Sequence, residues 1–513
     1  MRQIELATRF QNSMEMTSPD RTRGAGTGSI RYRIASVNWW KRAGAVCLFC
    51  GAAIAAPAQT FNTLVDFTGG NGAGPDRATL VQGFDGNFYG TTFGGGTDDS
   101  CSYFVFVGCG TVFKINSAGT LTTLYSFDDT NGSEPSAALL QTADGTLYGT
   151  THAGGTYGYG TFFKFAPAGK LTTLHSFDST DGANVDAPVV QGNDGNFYGT
   201  SYLGGAYGYG TVYKITPQGA LTTLHSFDST DGANPVAALV LGSDGNFYGT
   251  TFGGGANDLG TVFKITPGGT LTTLYSFCAQ TNCSDGTSPY TALIQVPNGG
   301  LYGTAAYGGA NSYGTIFKIS TAGALKTLHS FDLTDGSYPA GLTLATDGNI
   351  YGITLVGGAN ESCTSLGLVG CGAAFKITQG GSFSTLYNFC SESGCADGEA
   401  PASAFFQATN GTLYGTTYLG GSNGDGTVFS LSVGLVPFVE TLPSFGKVGT
   451  TIKILGNSLT GATSVTFNGT AATFKVVSAS LITATVPTGA TTGTVEVTIA
   501  GATLSSNLPF RVR

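Results

Sequence analysis

Charged, tryptophan and histidine residues are scarce in this 513-residue chain. Only 10% of its residues are Asp, Glu, Lys or Arg, and it has two tryptophans and four histidines. Residues 1–58 hold eight of the 22 Lys/Arg and three of the 31 Asp/Glu, so 14 and 28 remain and residues 59–513 carry a net charge of −14. A protein this acidic repels phosphate backbones, which argues against nucleic acid as a partner.

Known catalytic motifs are also missing. The chain has no G-x-S-x-G nucleophile elbow, no H-E-x-x-H zinc motif and no phosphate-binding G-x-x-x-x-G-K sequence. Glycine clusters such as residues 94–96 follow apolar runs without opening a helix, so they indicate tight loops and not phosphate cradles. Short motifs therefore point to no particular reaction.

Glycine is abundant, with 81 residues, and it punctuates a repeat. Residues 236–277 contain four short runs of apolar, aromatic and β-branched residues, separated by an Asp-Gly turn, a glycine cluster and a Pro-Gly-Gly turn. A Tyr-Gly step marks seven copies, at Tyr89, Tyr148, Tyr198, Tyr248, Tyr302, Tyr351 and Tyr414. Four strands in about fifty residues are typical of a propeller blade. We predict an all-β fold with a seven-bladed β-propeller over residues 59–432.

The two ends of the repeat region are out of phase. Residues 61–67 match the fourth strand of a repeat without the preceding three, whereas residues 426–431 match the third strand and no fourth strand follows. We predict that the N-terminal strand pairs with residues 426–431 as the outer strand of the seventh blade, which leaves no long exposed sheet edge. The first run of each repeat starts with small residues such as Ala137 and Ala187, so we place this strand nearest the axis.

The N-terminal segment has the pattern of an export signal. Lys41 and Arg42 precede an apolar run at residues 43–56 and an A-x-A ending at Ala58. Fourteen apolar residues are too few for the roughly 20 that a membrane-spanning helix needs. We predict cleavage after Ala58, secretion or cell-surface association, and no membrane span after signal removal. The long segment before this run leaves open a translation start downstream, with residues 1–36 untranslated.

Eight cysteines outside this segment fall into four local pairs in lengthened parts of the repeat. Paired cysteines in an exported protein predict disulfides that staple inserted loops. Zinc is the alternative, but no histidine lies near any pair, and we expect equivalent loops of different blades to be far apart, so that four ligands cannot gather. The predicted pairs are Cys101/Cys109, Cys278/Cys283, Cys363/Cys371 and Cys390/Cys395.

Residues 436–513 form a second unit, because the Tyr-Gly repeat stops and Thr- and Val-rich alternating strands begin. Six or seven short strands in this length predict an immunoglobulin-like β-sandwich that lies against the propeller.

Both units resemble known families. The blade sequence DGNFYGTTFGGG…GTVFKITPGGTLTTLYSF resembles the Gloeobacter/Verrucomicrobia (GloVer) tandem repeat of bacterial exported proteins over residues 61–431. That resemblance implies no activity. Residues 443–500, with ILG at 454–456 and VTFNG at 465–469, are similar to IPT/TIG domains, which implies a spacer or binding module. Most GloVer proteins carry a C-terminal sorting anchor, and this sequence shows none, so surface attachment stays open.

We interpret the histidines and the repeated carboxylates mainly as residues that stabilise the fold. His175, His225 and His329 share one repeat column that a ring spreads around its rim, so we expect them to hydrogen-bond within their own blades. The Asp-x-x-Asp-Gly pairs predict turns, because Asp beside Gly bonds its own backbone. Calcium bound through these oxygens is the alternative, although a full D-x-D-x-D-G loop is missing. The carboxylates concerned are Asp178, Asp181, Asp228, Asp231, Asp332 and Asp335.

Candidate ligand-binding residues are those that break the repeat near the axis. Counting eight residues back from each inner-hairpin Asp or Asn gives a column of residues that should meet at the channel mouth: Arg77, Ser136, Asp186, Val236, Tyr290, Pro339 and Ala402. His152 also breaks its column, where other repeats have Phe or Tyr. Exposed tyrosines on neighbouring loops would stack on sugar rings or partner surfaces. We assign ligand binding to Arg77, Asp186, Tyr290, His152, Tyr157, Tyr159, Tyr207 and Tyr209.

These observations predict an exported, non-catalytic repeat protein that acts as a binding or scaffold module for a glycan or a protein. No metal or cofactor is required. The alternative is an extracellular hydrolase or lyase at the channel mouth, which needs a second acid near Asp186. Under a third interpretation, Arg77 and Asp186 are merely solvated and the tyrosines pack between blades.

Overall fold

Short antiparallel strands form nearly all regular structure in the computed structural model, which describes residues 59–103, 105–166, 169–363, 367 and 369–513. The predicted signal segment lies outside the described residues. The helices of the described part are three-residue 3-10 turns at Thr281–Cys283, Ser393–Cys395 and Leu459–Gly461. No helix there is long and apolar enough to cross a membrane.

The described part of residues 59–432 forms seven sheets, in which neighbouring strands mostly follow chain order. Sheet 1 contains Val81–Gln82, Phe88–Thr92, Thr111–Ile115 and Leu121–Ser126. Sheet 2 contains Leu140–Gln141, Leu147–Thr151, Thr161–Phe165 and Leu171–Ser176. Sheet 3 contains Val190–Gln191, Phe197–Ser201, Thr211–Ile215 and Leu221–Ser226. Sheet 4 contains Val240–Leu241, Phe247–Thr251, Thr261–Ile265 and Leu271–Ser276.

In the later sheets the strand that carries the Tyr-Gly step is longer, with seven residues in place of five. Sheet 5 contains Thr287–Pro289, Ile294–Gln295, Leu301–Tyr307, Thr315–Ile319 and Leu325–Ser330. Sheet 6 contains Ser337–Leu344, Ile350–Val356, Ala373–Ile377 and Phe383–Asn388. Sheet 7 contains Glu399–Pro401, Phe406–Gln407, Leu413–Leu419, Thr427–Ser432 and Thr60–Asp66. A small ribbon, Ser102–Tyr103 and Phe106–Val107, extends from sheet 1.

The recurring Asp-Gly and Tyr-Gly steps have a direct physical cause, seen in sheet 4. Gly245 turns the hairpin with φ +82°, and the Asp244 carboxylate accepts a hydrogen bond from the Tyr248 hydroxyl at 2.8 Å. A Cβ on Gly249 would lie 2.5 Å from the ring of Phe263 on the next strand. The tyrosine therefore ties the strand to the turn, and the glycine makes room for the neighbouring aromatic ring.

Apolar cores lie between successive sheets. Tyr198 and Phe227 of sheet 3 pack in one fully buried cluster with Phe247 and Phe263 of sheet 4. Threonine hydroxyls link the sheets as well; Thr150 of sheet 2 donates to Ala187 O, just before sheet 3, at 3.1 Å. Each sheet is thus stabilised by the next one, as expected for propeller-like packing.

Sheet 7 contacts sheet 1 in the same manner. The strand Thr60–Asp66 pairs antiparallel with Thr427–Ser432, which is the pairing that the sequence predicts. Phe67 is fully buried in a cluster with Val428 of sheet 7 and Phe113 of sheet 1. Thr416 of sheet 7 donates to Pro75 O at 3.3 Å. The first strand of the described residues therefore joins the two ends of the repeat region.

The strands from Glu440–Leu442 to Arg511–Val512 form a β-sandwich outside the repeat sheets. Its first sheet contains Glu440–Leu442, Thr451–Leu455, Leu481–Thr485 and Phe474–Val476, and its second contains Thr470–Ala471, Ser464–Phe467, Val495–Ile499 and Ala502–Ser505. A parallel pair, Phe445–Gly446 with Arg511–Val512, completes it. Residues such as Ile454, Ile482 and Val497 fill its core.

The sandwich contacts the hairpin turns between the first two strands of the repeat sheets. Ser480 Oγ donates to Phe84 O at 2.7 Å, and the Lys453 ammonium lies 4.1 Å from the centre of the Phe84 ring. Arg513 donates to Asn193 Oδ1 at 2.7 Å. One end of the repeat strands is thus partly covered, and the opposite end is where the repeat-breaking residues lie.

Candidate functional site

One position in each repeat defines the geometry of the uncovered end. The Asn184 N–H donates to Tyr159 O of the preceding repeat, and the Asn184 carbonyl accepts from the Tyr202 N–H; Gly74 makes the equivalent pair of bonds. The residues at this position all have positive φ: Gly74, Glu134, Asn184, Asn234, Ser288, Tyr338 and Ala400. These residues give the segment that leads into the first strand of each sheet the same backbone conformation.

Counting two residues on from this position gives the predicted column in five repeats and a neighbouring residue in the other two. In the first repeat it gives Asp76, whereas Arg77 lies one residue further and itself has φ +47°. In the sixth repeat it gives Ala340 in place of Pro339. The two counts differ in these two repeats because the spacing between the positive-φ residue and the hairpin turn is one residue longer in the first repeat and one residue shorter in the sixth. Ser136, Asp186, Val236, Tyr290 and Ala402 keep their places.

Arg77 nevertheless reaches the other predicted residues. Its Nη1 lies 3.6 Å from Asp186 Oδ2, its Nε lies 3.8 Å from Asp76 Oδ2, and its guanidinium carbon lies 4.5 Å from the centre of the Tyr290 ring. The arginine side chain is 25% exposed and that of Asp186 is 8% exposed. Its buried Nε has no hydrogen-bond partner among the described residues. The first, third and fifth repeats thus contribute to one polar cluster.

His152 joins this cluster through Asp186. Its Nδ1 lies 2.5 Å from Asp186 Oδ1, which also accepts from Ser136 Oγ at 3.3 Å. The amide nitrogen of Asn184 lies 2.9 Å from Nε2 and 3.4 Å from the His152 carbonyl oxygen. Because an amide nitrogen only donates, Nε2 is the acceptor and Nδ1 carries the proton toward Asp186. Both ring nitrogens are therefore engaged.

Aromatic rings form one wall of the cluster. Tyr290 lies edge-to-face with Tyr338, at 5.2 Å between centroids, and Tyr307 lies 5.3 Å from Tyr338 in the same manner. Phe252 also contacts Tyr290, at 6.4 Å. Burial raises the pKa of Tyr290 and of Tyr338 above their usual range, so both hydroxyls stay protonated and can donate hydrogen bonds.

Burial also raises the pKa of Asp76, and the negative charge of Asp186 raises it further, while Arg77 acts in the opposite direction. The two carboxylates and one guanidinium leave the cluster with a net negative charge when both acids are ionised. The cluster can therefore orient a polar ligand by hydrogen bonds and an aromatic surface.

The remaining predicted binding residues lie on exposed loops. Tyr157, Tyr159, Tyr207 and Tyr209 are 58%, 41%, 63% and 42% exposed. The Tyr159 carbonyl accepts from Asn184, so its loop borders the cluster, and the equivalent loop carries Tyr209 against Asn234. The structure thus places these tyrosines at the same end of the strands without contact to Arg77 in the described interactions.

Sequence reasoning found Arg77, Asp186, Tyr290 and His152 but missed three neighbours. Asp76 would have been found by counting from the proline or valine that precedes the column, at Pro75, Pro135 and Val185. Asn184 and Tyr338 occupy the positive-φ position, which no local pattern marks as functional. Their roles depend on contacts between repeats.

The histidine column is structural, as predicted. His175 Nε2 lies 2.8 Å from Asp181 Oδ2, and His225 and His329 make the same contact with Asp231 and Asp335. Tyr275 and Tyr387 replace the histidine elsewhere and donate to Asp285 and Asp397.

The other carboxylates of these pairs also serve their turns. Asp178 Oδ1 accepts from the Thr180 N–H and hydroxyl, and Asp228 and Asp332 accept from the equivalent threonines. The contacts favour the turn interpretation over calcium, because each carboxylate is directed at its own loop.

All four predicted disulfides are present: Cys101–Cys109, Cys278–Cys283, Cys363–Cys371 and Cys390–Cys395. The conclusion that sulfur atoms of different pairs cannot gather is wrong for two of them, because these pairs lie in different loops of one repeat and not in equivalent loops of two blades. Cys363 Sγ lies 3.9 Å from Cys395 Sγ, because the long loop of sheet 6 folds back onto the connection to sheet 7. Chain folding within one repeat, and not blade-to-blade geometry, brings them together.

Comparison with known proteins agrees with this organisation at the family level. The Gloeobacter/Verrucomicrobia repeat matches residues 52–193 and 182–366, and the IPT/TIG domain matches residues 438–512. No curated protein matches the chain.

Several solved structures are similar at low identity. The virginiamycin B lyase of Staphylococcus aureus has a TM-score of 0.47 and 16% identity, over 73% of this chain and 99% of that one. The gluconolactonase of Xanthomonas campestris has a TM-score of 0.36 and 14% identity, over 60% and 90%. An extracellular domain from B. thetaiotaomicron has a TM-score of 0.46 and 14% identity, over 88% of this chain and 57% of its own length. The chain belongs to the family of Gloeobacter/Verrucomicrobia repeat proteins, with an IPT/TIG domain at residues 438–512.

Proposed function

We propose that this protein is an exported, non-catalytic binding module whose seven repeat sheets close into a seven-bladed propeller. The pairing of Thr60–Asp66 with sheet 7 and the shared core of sheets 7 and 1 support closure. Four disulfides suit an oxidising compartment outside the cytoplasm, in keeping with the predicted signal and with secretion or surface association.

The observation that carries the binding proposal is the cluster of Arg77, Asp186, His152 and Tyr290. These residues break an otherwise regular repeat, come from four different repeats, and meet at the end that the sandwich leaves uncovered. Replacing a buried ion pair by well-packed apolar residues of similar volume is often neutral or even stabilising, so a buried ion pair is weak evidence for a role in stability alone. A polar cluster confined to one end of a repeat protein is therefore best explained by a ligand.

A glycan is the ligand class that the surroundings favour, with a protein segment as the other candidate. Carboxylates, an arginine and protonated tyrosine hydroxyls hydrogen-bond sugar hydroxyls, and exposed rings such as Tyr157 and Tyr207 offer stacking surfaces beside the cluster. The acidic surface disfavours nucleic acid.

The test is binding of bacterial envelope glycans, measured with immobilised glycans and the full chain. We expect Arg77→Ala to abolish binding and Tyr207→Ala to weaken it by up to roughly tenfold, since one aromatic contact contributes about 0.5–1.5 kcal/mol. Val448→Ala, at an exposed valine of the sandwich, is the matched control and should bind normally. Unchanged binding by Arg77→Ala would overturn the location of the site.

A hydrolase or lyase is the second candidate, and a second carboxylate near Asp186, that of Asp76, supports it. Asp76 and Asp186 both lie within ion-pair distance of Arg77. The engaged nitrogens of His152 argue only against His152 as the general base, since a general base needs a free lone pair. Release of new reducing ends from a bound glycan, lost in Asp76→Asn while binding persists, would favour the enzyme over the binding module.

A further inference from the structure

Two of the four disulfides lie side by side with sulfur atoms in contact, whereas the described residues place no second disulfide beside the other two. Cys363 Sγ lies 3.9 Å from Cys395 Sγ, and Cys363, Cys390 and Cys395 all have sulfur atoms within 4.8 Å of one another. Ser362 Oγ lies 3.7 Å from both Cys371 and Cys390. The bridges Cys363–Cys371 and Cys390–Cys395 are therefore in contact through their sulfurs.

The two bridges differ in their access to solvent. Cys363 is 6% exposed and Cys371 is fully buried. Cys390 and Cys395 are half-buried, and the residues between them, 391–394, are exposed. An external thiol can thus reach the second bridge and not the first. The inner bridge is accessible only to a sulfur already inside the cluster.

We infer that these four cysteines form one redox-active site, in which attack by an external dithiol on Cys390–Cys395 is passed to the buried bridge. The dithiol reduces Cys390–Cys395 to two thiols and leaves as its own cyclic disulfide. The Cys395 thiolate then attacks Cys363 Sγ, the Cys363–Cys371 bond breaks, and Cys371 leaves as a thiolate that takes up a proton. The product has a Cys363–Cys395 bridge and free thiols at Cys371 and Cys390.

The consequence is a change in what the bridges connect. In the starting state each bridge closes a loop within a short stretch of chain, eight and five residues apart. The new bridge joins residues 32 apart and links the long loop of sheet 6 to the connection before sheet 7. The site would take small dithiols or the thiols of a redox protein as its substrate.

The chain offers a matched control. Cys278–Cys283 closes a loop of the same length around a 3-10 turn of the same kind, and the described part of the chain puts no other sulfur pair beside it. Reduction of this bridge should produce two free thiols and no exchange product.

The experiment uses Cys390→Ser, which leaves Cys395 as a free thiol without added reductant. After incubation at pH 8, acid quenching and alkylation, mass spectrometry should find the Cys363–Cys395 peptide, because the freed Cys395 sulfur lies 3.9 Å from Cys363 Sγ and a thiolate exchanges with a disulfide that it contacts. In the control Cys278→Ser, Cys283 should be alkylated and Cys101–Cys109 intact.

Wild-type protein treated with limiting dithiothreitol provides the second measurement, which does not depend on the folding of a variant. We expect the same Cys363–Cys395 peptide, with Cys371 and Cys390 alkylated. The proposal would be overturned if the Cys363–Cys371 bridge stayed intact in both experiments, with Cys395 found only as an alkylated thiol in each and Cys390 only as an alkylated thiol in the wild type.

Discussion

Removal of the Arg77 guanidinium tests the electrostatics of the cluster most directly. In Arg77→Met the methylene packing is largely kept, but Asp186 and Asp76 lose the cation that lies 3.6 Å and 3.8 Å from their Oδ2 atoms. Breaking a fully buried ion pair costs about 3–5 kcal/mol, whereas an exposed pair contributes about 0–1 kcal/mol. With side chains 25% and 8% exposed, we expect the free energy of unfolding at pH 8 to fall by about 2–3 kcal/mol.

The free energy of unfolding lost in Arg77→Met should be smaller at low pH than at high pH. Burial raises the pKa of Asp76, so the stability linked to its protonated form is fully present below the unfolded value and is lost as pH rises through the folded pKa. Without Arg77 this pKa rises further, because its nearest cation is gone. At pH 4 a larger fraction of Asp76 is protonated and carries no charge for Arg77 to balance. The stability lost in Arg77→Met should therefore shrink to about 1 kcal/mol.

The assay is urea unfolding at pH 4 and pH 8, followed by circular dichroism, with the repeat-domain transition compared between variants. Lys114→Met is the matched control, because Lys114 and Asp85 form an exposed pair at 3.9 Å that should contribute less than about 1 kcal/mol. Adding Asp76→Asn to Arg77→Met should restore part of the stability at pH 8. An equal loss at both pH values would refute the reasoning.

Two further predictions concern other parts of the chain. Burial raises the pKa of Glu440 to about 7, so its protonated form stabilises the fold at low pH and this stability is lost as pH rises through 7. Glu440→Gln should therefore raise the free energy of unfolding at pH 8.5 by about 1–2 kcal/mol and leave it unchanged at pH 4; a gain that is equal at both pH values in urea unfolding would contradict this. Gly110→Ala should destabilise the protein by more than about 2 kcal/mol, because φ is +93° and the new Cβ would lie 2.4 Å from a backbone oxygen. Gly195→Ala, with φ +82° and open space around the site, should lower stability by only about 1 kcal/mol. Equal decreases in Tm for the two variants would contradict this, because they would show that backbone strain alone, and not the clash of the new Cβ, sets the loss of stability.

Local chemistry explains why so much of the fold could be predicted from the sequence. Asp-Gly turns, positive-φ glycines and alternating apolar residues act over a few residues, and each copy of the repeat contains the same set. The phase shift between residues 61–67 and 426–431 predicted a pairing across the whole repeat region, because an unpaired strand edge is unfavourable and only one partner was left.

The candidate site could be predicted only in part, because its contacts join residues of different repeats and not neighbours along the chain. Arg77, Asp186, Tyr290 and His152 stood out because they break a regular column, and the repeat geometry brings such positions together. Asp76 was missed because one extra residue in the first repeat shifts the count from the turn.

What the sequence by itself determined is the strand pattern, the repeat, the disulfide pairs and the end of the strands where unusual residues gather. The tertiary structure alone decided that Asn184 occupies the second nitrogen of His152 and that Cys363 touches Cys395. These contacts join residues 32 apart in the chain, and their distances depend on how loops pack against one another. Spacing along a chain determines which turn forms, but not which side chains meet once two loops have packed.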